Sequence, residues 1–221
     1  MAYFKPDRED FNYLRHMILI GGNTDQAWKK EDFSCYVTHL NPDGNPDDWM
    51  FDTFTFWHFK SPRGGFLYSD INIGTTMCGE GNFYAVPAPN PGNREDWLAI
   101  MEWYFEPNIF AHALDTAIAE AESKLGKRKH KVNLVITIPY PGPLQTQFGE
   151  VGGQKLNFST KGQNLDQATR QRLAACVWFV DEIINRFNRQ KYSNLNLLGF
   201  YWTFETVYRS WDIDDHWLLK E

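Results

Sequence analysis

What most constrains the fold of this chain is an alternation that runs along it. Short, nearly continuous apolar runs are separated by segments with helical periodicity. His16–Gly22 (HMILIGG), Asp52–Phe59 (DTFTFWHF), Lys131–Ile138 (KVNLVITI) and Asn194–Tyr201 (NLNLLGFY) read as strands, rich in branched and aromatic residues. Between them, Asp25–Tyr36, Arg94–Phe105, Asn108–Gly126 and a long segment after Asn164 read as helices. Thr24 or Asp25 is available to cap the first of these. Leu114, Ile118, Ala121 and Leu125 form one apolar stripe, closed by Gly126 as a C-cap. Leu173, Cys176, Val177, Val180, Ile183, Ile184 and Phe187 form the expected buried stripe of the long helix, behind an Asn164/Gln167 capping box. Trp211–Glu221 begins one more short helix.

Strands of this kind, joined by helices, imply a parallel sheet covered on both faces. No Gly-rich phosphate-binding turn follows any of them, because Gly21-Gly22-Asn23 is too short to be one. A nucleotide-binding doubly wound sheet is therefore disfavoured. The expected fold class is α/β, of the (β/α)8 TIM-barrel type, with the chain covering about the first four β/α units. At 221 residues it is expected to be a single domain.

The connections after the second and third strands are long. Residues 61–93 are dominated by Gly, Pro, Asn and aromatic residues, with a small hairpin expected inside them. The third strand runs into Pro139-Tyr140-Pro141-Gly142-Pro143 and then an irregular stretch. Loops of such length are uncommon unless they have a function. In a barrel they follow strand C-termini, where active sites are built. Here the strand ends and their loops carry Trp57, His58, Tyr68, Tyr84, Tyr140, Gln147 and Glu205.

Aromatic residues make up 16% of the chain. Most of these rings belong to the core, and about a quarter are expected to line a cleft, as aromatic side chains do in ligand pockets. Net charge is −6, and the basic residues are dispersed except for Lys127-Arg128-Lys129-His130-Lys131. That run reads as the cationic complement of a helix C-terminus; a nucleic-acid footprint would be broader. No nucleic-acid partner is expected. Cys176 reads as a small core residue, whereas Cys35 and Cys78 leave a disulfide open. No apolar run reaches membrane-spanning length, so no membrane partner is expected. The N-terminus lacks a signal-peptide pattern, which suits either a cytosolic chain or one without its export signal.

Glu205 is the candidate of greatest chemical interest. It follows the apolar run Leu195–Phe200 and the pair Tyr201-Trp202, as a proton donor does in a sugar-cleaving barrel. Glycoside hydrolysis uses two carboxyl groups, one a donor whose proton affinity is raised and the other a nucleophile or base. Rings around Glu205 would disfavour its ionised form. The alternative is a helix N-cap or an ion pair with Arg209, four residues on. Trp202 is either a sugar platform or core. Tyr140 either bonds a sugar hydroxyl or packs to lock the proline turn. Trp57, His58 and Gln147 complete the expected binding residues. No metal is expected, because His58 has no partners at ligand spacing. No cofactor is expected either. Asp52 opens its strand and is assigned to stability. Asp212, Asp214 and Asp215 are expected to form a solvated acidic turn that starts a helix.

Four segments in order carry a family resemblance. They are His16-Met-Ile-Leu-Ile, Trp49-Met-Phe-Asp-Thr-Phe-Thr-Phe, Val132–Gly142 (VNLVITIPYPG) and Leu198-Gly-Phe-Tyr-Trp-Thr-Phe-Glu205. From about His16 to the C-terminus the chain resembles the DUF4855 family, glycosidase-like proteins of carbohydrate-degrading bacteria. The resemblance implies a (β/α)8 barrel, a carbohydrate ligand and a secreted or periplasmic location. It also implies Glu205 as general acid/base at the end of strand four. Its second carboxylate would lie on later strands, so the chain is expected to be C-terminally incomplete. A non-catalytic carbohydrate-binding module and a half-barrel completed by a partner are the alternatives. Oligomeric state is left open.

Overall fold

The computed structural model describes residues 8–21, 27–57, 71–72, 76–77, 85–86, 90–203, 205, 207–211 and 213–221. Its elements begin with β1 (Met17–Gly21), α1 (Lys30–Val37), β2 (Thr38–Leu40), β3 (Pro46–Trp49) and β4 (Thr53–Trp57). Four two-residue strands follow: β5 (Ile71–Asn72), β6 (Thr76–Met77), β7 (Ala85–Val86) and β8 (Asn90–Pro91). Then come α2 (Arg94–Tyr104), α3 (Phe110–Leu125), β9 (Val132–Ile138), β10 (Gly149–Val151) and β11 (Gln154–Leu156). The chain closes with α4 (Leu165–Gln190), β12 (Leu195–Trp202) and α5 (Asp215–Lys220). Packing divides it into two compact units. The first comprises Met1–His58, Glu102–Thr137 and Ile184–Tyr201; the second comprises Phe59–Met101, Ile138–Ile183 and Trp202–Glu221.

The first unit is built on the four expected strands. They form one parallel sheet in the order β1-β4-β9-β12, which is also their order along the chain. The Thr/Phe alternation of β4 decides what each face does, since successive side chains leave a strand on opposite sides. Phe54 and Phe56, fully buried, pack against helices: Phe33 of α1, Tyr104 of α2 and Phe110 of α3. Phe56 and Phe110 meet edge to face with centroids 5.4 Å apart, the arrangement that the ring quadrupoles favour. The register Ile18↔Phe54↔Leu134 and Ile20↔Phe56↔Ile136 extends this apolar layer across three strands.

The opposite face is small and polar. Thr53, Thr55 and Asn133 are buried there, and Asn133 Nδ2 donates to Asn12 O at 2.9 Å. Asn196 Nδ2 donates in turn to Asn133 Oδ1 at 3.1 Å. Coverage of both faces, expected from the sequence, fails at the edge strand: Met17 and Leu19 of β1 are each 48% exposed. At the strand starts, the Asp52 carboxylate accepts the N–H groups of Arg15 (3.0 Å) and His16 (3.1 Å) and the Thr53 hydroxyl (2.8 Å). It thereby ties the entry of β1 to that of β4.

The second unit has its own aromatic core. Trp97 meets Phe148 at 4.9 Å and Phe179 at 5.8 Å, both edge to face, and Phe158 lies 4.8 Å from Phe148. Asn93 caps α2. Its side chain accepts the N–H groups of Glu95 and Asp96, while the buried Asp96 carboxylate accepts the Asn93 N–H at 2.8 Å.

Several local expectations change. α1 begins at Lys30 rather than Asp25 because Asp32, at 2.8 Å, caps the Lys29 N–H; Thr24 and Asp25 lie outside the described residues. The stretch after the third strand contains a hairpin, β10–β11, turned by Gly152 and Gly153 at φ 59° and 83°. Two consecutive residues with positive φ suit the right-handed twist of such a ribbon. The Asn164/Gln167 capping box forms in both directions, at 2.9 and 3.3 Å. The buried face of α4, however, is Ala168, Thr169, Arg172, Ala175, Cys176, Phe179 and Ile183. Val177 and Ile184, expected inside, are 47% and 37% exposed. The helix is rotated because Arg172 occupies a core position, for a reason given below.

Phe56→Ala is expected to lower stability by about 3–5 kcal/mol, the range for deleting a fully buried aromatic ring. Leu19→Ala, at a half-exposed position, is expected to cost about 1 kcal/mol or less. Urea unfolding of the two variants, read against the parent, checks the contrast.

Candidate functional site

In the second unit the ends of the third and fourth strands are brought together by hydrogen bonds. The Thr203 hydroxyl donates to the Ile138 carbonyl oxygen. The Glu205 N–H donates to Trp202 O at 3.1 Å, so the chain turns immediately after the strand. Glu205 sits in that turn with φ 54°, in the left-handed region that non-glycine residues rarely enter, and its side chain is exposed. The burial under aromatic rings expected for this carboxylate is therefore absent. Trp202 is half-buried, its ring edge to face with Tyr140 at a centroid distance of 5.3 Å.

Beneath these residues lies a buried polar cluster. The Tyr140 hydroxyl donates to Asp215 Oδ2 at 2.9 Å, and Arg172 Nη2 reaches Asp215 Oδ1 at 2.5 Å. Arg172 Nε donates to Pro141 O at 2.7 Å, and the guanidinium lies 5.3 Å from the Tyr140 ring centroid. Asp215 also receives the Tyr208 N–H at 3.3 Å and gives its own N–H to Tyr208 O at 2.8 Å. Arg172 and Asp215 are 1% and 0% exposed, so neither charge has water to fall back on. Charges are tolerated at such depth only when paired and hydrogen-bonded.

The local sequence explains each contact. Pro139 and Pro141 stop β9 and set Tyr140 at its end. Arg172 projects from the inner face of α4, between Ala168 and Ala175 whose small side chains leave it room. Asp214 caps α5 by accepting the Trp217 N–H at 2.9 Å, which leaves the adjacent Asp215 to point inward. The acidic turn thus starts a helix as expected, but Asp215 is buried rather than solvated.

The cluster sets the protonation behaviour of its members. Burial drives the Tyr140 hydroxyl well above the usual phenol range; the Arg172 charge opposes this and the Asp215 carboxylate reinforces it. Burial works against the Arg172 charge, but Tyr140 and Asp215 outweigh it and keep the guanidinium charged. The Cys176 thiol, one turn along α4, is pushed up to about 12, mainly by burial.

The expected site residues separate accordingly. Tyr140 is 2% exposed with its hydroxyl committed to Asp215. Its ring packs edge to face against Trp202. Gln147 is exposed and gives its N–H to the side chain of Gln145 at 2.7 Å. Gln145 is the amide built into the structure, buried and donating to Gly92 O at 2.7 Å. Trp57 ends β4 in the first unit, in register with Gly21. A Cβ on Gly21 would come within 2.2 Å of the Trp57 carbonyl oxygen, which explains a glycine there. His58 and Cys78 lie outside the described residues; Cys35 is a free, exposed thiol. Among the described residues no cluster of His, Cys, Asp and Glu is disposed to hold a metal ion. No helix among them is long and apolar enough to cross a membrane. The sequence does not pair Arg172 with Asp215, which reads as part of a solvated acidic turn. Their signal was an arginine on the Ala168–Ala175–Phe179–Ile183 face and a second aspartate behind a helix-capping one.

Fold and strand-end site together define a mixed α/β protein with a central parallel sheet of four strands. The chain belongs to the family described as Domain of unknown function (DUF4855), whose profile matches residues 16–220. No curated protein and no solved structure gives a significant match.

Asp215→Ala strands the Arg172 charge and is expected to cost about 3–5 kcal/mol. Replacing both partners, Arg172→Met with Asp215→Leu, is expected to recover most of that loss, as measured by chemical denaturation. A second prediction concerns alkaline pH. In the unfolded chain the Cys176 thiol ionises near 8.5, whereas in the folded protein it keeps its proton up to about 12. The unfolded state therefore sheds protons first. Stability from this source is intact below about pH 8.5 and declines above it, with Tyr140 acting in the same direction. Urea midpoints measured from neutral to alkaline pH check the decline. Thiol labelling of the native protein is expected to modify Cys35 readily and Cys176 only on unfolding.

Proposed function

We propose that this protein is a glycoside hydrolase-like domain of the (β/α)8-barrel type that acts on or binds a carbohydrate, with Glu205 as its general acid/base. The observation that carries the reading is the position of Glu205: one turn beyond the fourth of four parallel strands, three residues after Trp202. Barrel enzymes draw their catalytic groups from strand C-termini. Two features support the barrel. The sheet order follows the chain order, unlike a doubly wound sheet, whose order reverses at a switch point. Helices α1, α2 and α3 pack on the Phe54/Phe56 face, whereas the Thr53/Thr55/Asn133 face carries small polar side chains.

In this reading Trp202 offers a ring face or edge to a sugar, and the Tyr140–Asp215–Arg172 cluster fixes the loop from which Glu205 projects. Glu205 would donate a proton to the glycosidic oxygen, opposite a second carboxylate. Trp57 and Gln147 stand as further proposed contacts of the ligand, which is an oligo- or polysaccharide; a secreted or periplasmic location accords with that substrate. A second reading, a non-catalytic carbohydrate-binding module, is favoured by one specific observation. Glu205 is exposed, without the enclosure that general acids of this class use.

A panel of oligosaccharides assayed with the parent protein, Glu205→Gln and Trp202→Ala tests both readings. The enzyme reading expects hydrolysis that falls by at least about 100-fold in Glu205→Gln, the scale of a lost general acid. Binding by the parent and by Glu205→Gln, lost in Trp202→Ala and without hydrolysis, supports the module. Hydrolysis indifferent to Glu205→Gln removes the catalytic assignment.

A further inference from the structure

We propose that the cleft at the N-terminal ends of β1, β4 and β9 is a binding site for a small polyanion, a molecule carrying two or more carboxylate, sulfate or phosphate groups. It lies wholly in the first unit, at the opposite end of these strands from the loops where barrel chemistry is placed. The cavity measures about 610 Å³, ample for a ligand of disaccharide size. Five cationic side chains line it, Arg15, Lys127, Arg128, Lys129 and Lys131, against two acidic ones, Asp48 and Asp52. This excess of positive charge belongs to a chain whose net charge is −6.

Two of these cations, Lys127 and Lys129, are not accounted for by the fold. A helix C-terminus presents about half a negative charge, and the end of α3 is already closed by Gly126, whose N–H reaches Glu122 O. Glu122 itself is occupied by the Arg128 N–H at 3.0 Å. Asp52 accepts from Arg15 N, His16 N and the Thr53 hydroxyl, and its charge, with that of Glu122, also favours the Arg128 guanidinium. Lys131 gives its ammonium to Tyr192 O at 3.1 Å. Lys127 and Lys129, both exposed, form no ion pair among the described residues. Both line the cleft as cations without an ion-pair partner among the described residues.

The walls are held rigid by stacking. Tyr13 and His130 lie face to face with centroids 3.4 Å apart and planes inclined by 8°. Arg128 lies over Trp49 at 4.7 Å and donates to Phe51 O at 3.2 Å. Arg128 is thus fixed and half-buried, within the field of Asp52 and Glu122, and its guanidinium can still form charge-assisted hydrogen bonds to an incoming oxyanion. A concave, pre-formed cluster of this kind concentrates positive potential, and its volume suits a small molecule.

Calorimetric titration of the full chain with inorganic pyrophosphate and with digalacturonate, beside neutral digalactose, tests the proposal. At least one anion is expected to bind, the neutral sugar less well. Binding is expected to weaken about tenfold or more in Lys127→Glu/Lys129→Glu and to weaken with added salt. Both lysines are exposed, and circular dichroism confirms that the double variant folds. Binding of pyrophosphate alone identifies a phosphate-type ligand; binding of digalacturonate alone identifies a carboxylate one. Failure of both to bind at about 10 mM, a free energy near −3 kcal/mol, overturns the proposal, as does binding that the charge reversal leaves unchanged.

Discussion

An ion pair with no access to water constrains the second unit more than any other interaction. Arg172 and Asp215 come from segments 43 residues apart, yet neither charge can be buried without the other. Their geometry also recruits the Tyr140 hydroxyl, the Pro141 carbonyl and the backbone of Tyr208. The end of β9, the inner face of α4 and the turn before α5 are consequently fixed together. Hydrophobic packing is non-directional; this cluster is directional, and it decides the rotation of α4 about its axis. Val177 and Ile184 face outward because Arg172 must face inward.

The sheet was legible in the sequence because its signal is local. Runs such as Val132–Ile138 and Leu195–Trp202 state their conformation in their own composition, and their spacing leaves room for the helices that join parallel strands. Even the Thr/Phe alternation of β4 was on the page. What it meant, helices on the phenylalanine side and a polar threonine layer on the other, required knowing where α1, α2 and α3 pack. The Gly152-Gly153 hairpin was also written plainly, as paired glycines between short β-forming stretches. Its strands, of only three residues each, are too short to show an alternating pattern.

The site was legible in part, and the reason is that a side chain's employment depends on partners far away in sequence. Trp202 and Glu205 could be placed from the sequence because both sit at or just beyond a recognisable strand end. Tyr140 was found for the same reason, but its hydroxyl belongs to Asp215, 75 residues on. An arginine in a helix ordinarily reads as solvent-facing, and an aspartate among aspartates as hydrated; only their mutual distance reveals the pair. The basic run Lys127–Lys131 was likewise read against its own helix, without the Arg15, Trp49 and Tyr13 that make a cleft of it.

The division of the chain into two units has a genetic consequence. Each unit draws on three separate stretches, and the polypeptide alternates strictly between them. Helix α2, strand β9, helix α4 and strand β12 each begin in one unit and end in the other. Neither body corresponds to a contiguous stretch of gene that recombination could lift out and graft elsewhere.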